Sequence, residues 1–89
     1  MPIISYFYGI SIYMFYLDNK KHFVPHIHAN FGEYEAVYTI PSGERLEGLM
    51  PSKKEKMIQV WISMREQELL QNWKLAVNGI NINPINPLN

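Results

Sequence analysis

The spacing of apolar residues changes once along this chain, at Met50-Pro51-Ser52. Before that point, runs of β-branched and aromatic residues are divided by short polar or glycine-containing segments, which is typical of strands and turns. After it, apolar residues recur every three or four positions as far as Val77, which indicates helix. The sequence therefore predicts an α+β domain in which a small antiparallel sheet of roughly three to five strands is packed by two C-terminal helices.

The turns determine how the strands pair. Gly9 divides the first apolar run, which fits either a hairpin or one long strand bent at a glycine bulge. Turns are predicted at residues 18–21, 31–33 and 41–44. Because these turns are short, strands adjacent in sequence should pair as an antiparallel meander. The predicted strands are residues 3–8, 10–17, 24–30, 34–40 and 45–49.

Residues 53–78 carry the helical periodicity. Ser52, with Glu55 three positions later, predicts a capping box at the start, and Gly79 is placed to cap the end. One unbroken helix of this length would extend about 39 Å, whereas a globule of this size is only about 30 Å across. We therefore predict a break or sharp kink within residues 63–67.

The end of the chain differs in composition from the rest. Residues 80–89 are asparagine, isoleucine, proline and leucine in near repetition, which excludes helix. We divide the chain into a single α+β domain at residues 1–79 and an Asn/Pro/Ile-rich C-terminal tail at residues 80–89. The aliphatic side chains of the tail are expected to lie over the domain or over a partner, or else the tail is mobile.

Composition limits the classes of function. A chain of 89 residues has room for one core. The absence of cysteine excludes disulfides and thiolate metal sites and fits a reducing cytoplasm. Eight basic residues balance eight acidic ones, which argues against a long nucleic-acid footprint but leaves room for a local patch. The uncharged first 17 residues fall short of the about 20 that a membrane span needs. We expect a soluble cytoplasmic protein that does not act on membranes.

The candidate site is the segment Val24-Pro25-His26-Ile27-His28. Pro25 fixes its own φ and moves Val24 out of the helical region, so this segment should be extended. Residues two apart in an extended chain point the same way, which places His26 and His28 on one face, about 6 to 7 Å apart. The two imidazoles are then close enough to share a ligand.

Three interpretations of the pair remain open. The imidazoles could bind a divalent metal, the one cofactor that these residues suggest, or act as general base and general acid in RNA cleavage. Alternatively, each ring bonds a main-chain carbonyl and packs among aromatic residues, in a purely structural role. Further metal ligands would be Glu33, Glu35, Asp18 or His22, and a cation for the phosphorane would be Arg45, Lys20 or Lys21.

Other surfaces offer weaker signals. Lys53, Lys54 and Lys56 at the helix start could contact phosphate, although such clusters are usually solvated surface. The spacing of Trp61 and Trp73 is typical of core residues. With so many aromatic residues, one exposed aromatic patch or open strand edge is expected, which would bind a partner protein or a second copy of this chain.

Three segments resemble a known prokaryotic family. They are Pro2 to Ile10, which follows a P-x-I-x-x-F-x-G-I pattern, Pro25 to Ala29, and Glu68 to Trp73. From Pro2 to about Gly79 the chain is similar to the small prokaryotic proteins of domain-of-unknown-function family 4160. His26 and His28 match the paired-histidine segment of that family. Tyr6 departs from it, since many relatives carry arginine there.

The resemblance implies a function by association. Members of the family are commonly encoded beside a second small protein, and such pairs have been proposed as toxin–antitoxin modules. We therefore expect the toxin-like component of such a module, acting with a small partner protein encoded nearby and on RNA through His26 and His28. The alternatives are a non-enzymatic protein-interaction module and a small metal-binding regulatory protein.

Overall fold

The computed structural model describes residues 3–15 and 24–88. It contains the strands β1 (Ile3–Phe7), β2 (Ile10–Tyr13), β3 (His26–Phe31), β4 (Tyr34–Thr39) and β5 (Arg45–Gly48), then the helices α1 (Ser52–Met64) and α2 (Glu66–Val77). The strands form one sheet in the order β1-β2-β3-β4-β5, and every neighbouring pair is antiparallel. The predicted α+β class and meander are confirmed. The turn predicted at residues 18–21 lies outside the described residues.

A two-residue turn joins β1 to β2, so the hairpin is correct and the single bent strand is not. Phe7 pairs with Ile10, and the two residues between them, Tyr8 and Gly9, have positive φ values of 50° and 79°. Positive φ at both central residues is the pattern of a type I′ turn, which suits the twist of paired strands. Lys54 of α1 donates its Nζ to the Tyr8 carbonyl at 3.0 Å, which holds this turn against the helix.

The helical region breaks at Arg65, within the predicted interval, where φ is −112° and ψ is 24°. The predicted capping box is wrong, because the N-cap of α1 is Pro51 and no side chain caps the helix. Glu55 accepts a hydrogen bond from the Tyr38 hydroxyl instead, at 2.8 Å. The Glu55 carboxylate therefore bonds the sheet rather than the start of α1, where the local pattern predicted it with Ser52.

Gly79 ends α2 as predicted. Its φ is 68°, in the left-handed region that glycine enters without steric cost. Its N–H bonds the Ala76 carbonyl at 3.1 Å, and the next residue, Ile80, bonds the Leu75 carbonyl at 2.8 Å. These two bonds form a Schellman motif, which satisfies carbonyl groups at the end of α2.

One face of the sheet packs against α1, and buried residues of α2 belong to the same core. Phe7 and Trp61 meet here with ring centroids 5.3 Å apart, and the Trp61 indole N–H donates to the Asn86 carbonyl at 2.8 Å. We call this side the helix-facing face and the opposite side the far face. Fully buried residues of this core include Ile10, Ile12, Ile27, Ala29, Ile58, Trp61, Ile62 and Leu69.

The C-terminal tail lies over the domain, which is one of the predicted alternatives. Ile85 is buried, and its N–H donates to the Ile4 carbonyl of β1 at 2.7 Å. Asn83 and the buried Asn72 of α2 bond reciprocally, at 2.7 Å and 3.1 Å. The tail therefore joins β1 to α2 although it has no regular secondary structure of its own.

Candidate functional site

The strand β3 carries both histidines at its start, as the sequence predicts. The ring centroids of His26 and His28 lie 5.4 Å apart, with an angle of 64° between the planes. Only 1% of His26 is exposed, whereas His28 is half-buried. The two rings are therefore neighbours in different environments.

His26 is enclosed by main chain and by α2. Its Nδ1 lies 2.8 Å from the Val24 carbonyl oxygen. Because a carbonyl only accepts, this nitrogen carries the proton and donates. The Trp73 ring of α2 packs against the imidazole at a centroid distance of 4.9 Å. His26 can therefore orient His28 but is too enclosed to touch a ligand itself.

His28 lies on the far face among aromatic rings. Phe15 meets the imidazole edge-on, with centroids 4.5 Å apart and planes at 70°. Tyr13, directly opposite His28 on β2, is parallel to Phe15 within 2°, at a centroid distance of 6.2 Å. The half-buried His28 is thereby held in a row of rings that runs along the far face.

A shallow cavity of about 360 Å³ opens on the far face beside His28. Asn30 and Glu35 face each other directly across β3 and β4, and Glu47 of β5 is aligned with His28 through Val37. The cavity thus combines an imidazole, an amide, two carboxylates and two aromatic rings, which can exchange a proton, accept hydrogen bonds and stack on a planar ligand. The lining residues are Tyr13, Phe15, His28, Asn30, Glu35, Ala36, Val37, Glu47 and Gly48.

The residues predicted to bind a metal are placed differently from one another. Both glutamates are exposed, but Glu35 lines the cavity, whereas Glu33 lies in the turn between β3 and β4. Within residues 3–15 and 24–88, no group of three or more histidine or acidic side chains could hold a metal ion. Asp18 and His22, the remaining candidates, lie outside the described residues.

Arg45 is directed to α1 rather than to the cavity. Its Nε lies 3.3 Å from a Glu55 carboxylate oxygen, and its guanidinium also donates to the Gly48 carbonyl at 3.3 Å. The same Glu55 oxygen accepts from Tyr38, and burial together with this bond raises the pKa of the Tyr38 hydroxyl far above its usual value. Arg45 therefore links β5 to α1. Lys20 and Lys21, the other predicted cations, lie outside the described residues.

The lysines at the start of α1 serve different surfaces. Lys54 lies 4.8 Å from the centroid of the Phe31 ring and also bonds the Tyr8 carbonyl, so it joins the helix to β3 and to the β1–β2 turn. Lys53 and Lys56 are exposed. Lys54, one of the three lysines predicted to contact phosphate, therefore has a structural role.

Sequence reasoning did not single out several residues that line the cavity. Tyr13 and Phe15 are two apart, so the alternation argument that was applied to the histidines could have placed them on one face. Asn30 could have been found by extending the same argument along β3. Glu47 could not, because the β4–β5 pairing shifts register between Val37 and Tyr38.

These features define a small α+β protein whose antiparallel sheet packs helices on one face and carries a polar, aromatic cavity on the other. A family model described as Domain of unknown function (DUF4160) matches residues 9–74, and the chain belongs to this family. The matched region contains the whole cavity and leaves out β1 and the tail. Neither curated proteins nor solved structures give a match. Neither described helix is long and apolar enough to cross a membrane.

Proposed function

We propose that this protein is the toxin-like component of a prokaryotic toxin–antitoxin type module and that it acts on RNA. The partner would be a small protein encoded nearby. The proposal depends above all on one observation, the accessible imidazole of His28 in a cavity beside carboxylates and aromatic rings. The cavity lies wholly within the region that the family model matches.

The cavity offers the two groups that RNA cleavage needs without a metal. A base takes the proton of the ribose 2′-hydroxyl while the 2′-oxygen attacks phosphorus. An acid protonates the departing 5′-oxygen, and the products are a 2′,3′-cyclic phosphate and a free 5′-hydroxyl. Histidine titrates near neutral pH and suits the role of acid. Glu47, two strands away from His28 on the same row, is about 10 Å distant at Cα and suits the role of base.

This assignment changes the part played by the histidine pair. Because His26 is 1% exposed and donates to the Val24 carbonyl, it would act as a positioning residue behind His28. Proton exchange with RNA is then assigned to His28 and Glu47, and the interpretation with both imidazoles as acid and base is set aside.

Growth arrest on controlled expression tests the proposal. We expect the wild-type chain to stop growth and His28→Ala or Glu47→Gln to relieve the arrest. Glu44→Gln, an exposed acid outside the cavity, should remain toxic at the same expression level. Circular dichroism of each purified variant checks the fold. Full toxicity of a folded His28→Ala variant would exclude the catalytic function.

A second candidate is a non-enzymatic interaction module, which the exposed apolar residues at the sheet edges favour. Ile3 and Tyr6 of β1 are half-exposed or more, and Leu49, just after β5, is 68% exposed. The β5 edge can pair with an added strand from a partner or from a second copy, whereas on β1 the Ile4 carbonyl already accepts a hydrogen bond from Ile85 of the tail. In that case Leu49→Asp should abolish copurification with the neighbouring protein, and His28→Ala should change nothing.

A further inference from the structure

We infer that the cavity on the far face takes an unpaired guanine base of single-stranded RNA. The inference rests on the proposed function and specifies its substrate class. Three features support it: an accessible aromatic surface, a facing amide and carboxylate, and a cavity of limited size.

The aromatic surface favours a single strand over a duplex. Tyr13 at the end of β2 and Phe15 two residues later have parallel rings, and both are half-buried rather than enclosed. Tyr6 of β1 is 62% exposed and pairs with Ser11, which lies two positions before Tyr13 on the same face. Aromatic side chains on an open sheet face stack on bases, and only unpaired bases have their faces free to do so.

The pair of Asn30 and Glu35 selects among the bases. Residues directly opposite on antiparallel strands have Cβ atoms about 4.5–5.5 Å apart, so both side chains can meet one base edge. A carboxylate only accepts hydrogen bonds, whereas an amide also donates. Guanine has two adjacent N–H donors beside a carbonyl oxygen, which Glu35 and the Asn30 amide complement.

The other three bases fit this pair less well. Adenine and cytosine have one amino donor beside a ring nitrogen that accepts, which would face the second oxygen of Glu35. Uracil has a single N–H between two carbonyl groups. Each mismatch leaves lone pairs opposed or one acceptor without a donor, which is costly once the bound base excludes water from the two side chains.

The size of the cavity agrees with one nucleotide. A volume of about 360 Å³ lies near the lower end of the about 300–1,000 Å³ range of small-molecule sites. With the base beside Glu35, the attached phosphate is expected between His28 and Glu47. The inferred base contact and the proposed proton transfer therefore use different side chains and can be tested separately.

The experiment uses four short 2′-O-methyl oligonucleotides that differ only in their central base. The methyl group removes the attacking hydroxyl, so binding is measured by fluorescence anisotropy on the full chain without cleavage. We expect the guanine oligonucleotide to bind at least about tenfold tighter than the others. Tyr13→Ala should weaken all four by about tenfold, because stacking tolerates any base.

Glu35→Gln is the variant that tests base selection. Glutamine offers one acceptor in place of two, so most of the guanine preference should disappear. Glu44→Gln, which makes the same charge change outside the cavity, should keep it. Equal affinity for the four bases, preference for another base, or no binding at all would each overturn the inference.

The outcome is separable from that of the proposed function. If growth arrest depends on His28 and the oligonucleotides show no guanine preference, the base assignment is wrong and the function stands. If growth arrest does not depend on His28, the proposed function is wrong whatever the oligonucleotides show.

Discussion

The two faces of the sheet are built from different chemistry. The helix-facing face presents buried aliphatic residues together with the Tyr38 hydroxyl, which is bonded to Glu55. The far face presents an imidazole, two carboxylates and aromatic rings that remain partly accessible. Burial of apolar area dominates stability, whereas convergent polar groups in a cavity permit binding and proton transfer. The comparison assigns stability to one face and chemistry to the other.

The largest expected effect tests the helix-facing face. Trp61 is fully buried, contacts Phe7 and donates to the Asn86 carbonyl. Trp61→Ala should lower the free energy of unfolding by about 3–5 kcal/mol, because it leaves a cavity and an unpaired carbonyl. Urea denaturation measures the change. Tyr13→Ala on the far face should lower it by about 1 kcal/mol or less, and equal losses would break the comparison.

Gly48 tests how closely the strands beside the cavity approach. A Cβ here would lie 2.0 Å from the Glu35 carbonyl oxygen, and φ is 88°. Gly48→Ala should therefore cost about 2–4 kcal/mol through overpacking and backbone strain. The matched control is Gly32→Ala, which has a φ of 57° but nothing within 4 Å of the added Cβ. It should cost only about 1 kcal/mol. Thermal denaturation of the two variants should rank them in this order.

The two histidines sharpen the comparison within one strand. His26→Ala should lower the free energy of unfolding by about 1–3 kcal/mol, since it removes packing on Trp73 and leaves the Val24 carbonyl unbonded. Because His28 is only half-buried, His28→Ala should lower the free energy of unfolding by less than about 1 kcal/mol. The same substitution should abolish growth arrest. Chemical denaturation together with the expression assay measures both. A greater loss of stability for His28→Ala would contradict this division of roles.

The smallest expected effect depends on pH. The pKa of Tyr38 is raised first by burial and then by its bond to Glu55. Because the pKa of Tyr38 is higher in the folded state, its contribution to stability is fully present below the unfolded pKa of about 10. This contribution is lost as the pH rises above the unfolded pKa towards the folded one. Unfolding measured from pH 7 to 11 should show stability falling above about pH 10. In Tyr38→Phe that part of the decline should be absent, and an unchanged profile would refute the assignment.

The candidate site was only partly predictable from the sequence. Pro25 and strand alternation were enough to place His26 and His28 side by side, because both effects are local. The difference in exposure between the two histidines was not predictable, because Trp73, which covers His26, comes from a helix that begins about 40 positions later in the chain. The capping box failed for a related reason, since Glu55 bonds Tyr38 of the sheet and leaves Pro51 as the N-cap.

The sequence alone was enough to predict the break between the helices, because one unbroken helix would exceed the width of a globule of this size. Local residue pattern determined the α+β class, the antiparallel meander and the glycine cap of α2. Each of these depends on neighbours in sequence, through side-chain alternation, turn chemistry and helical spacing. Tertiary structure alone decided which imidazole faces solvent, that Arg45 joins Glu55, and that Glu47 joins the cavity. Those outcomes depend on strand register and helix docking, which bring together residues far apart in the chain.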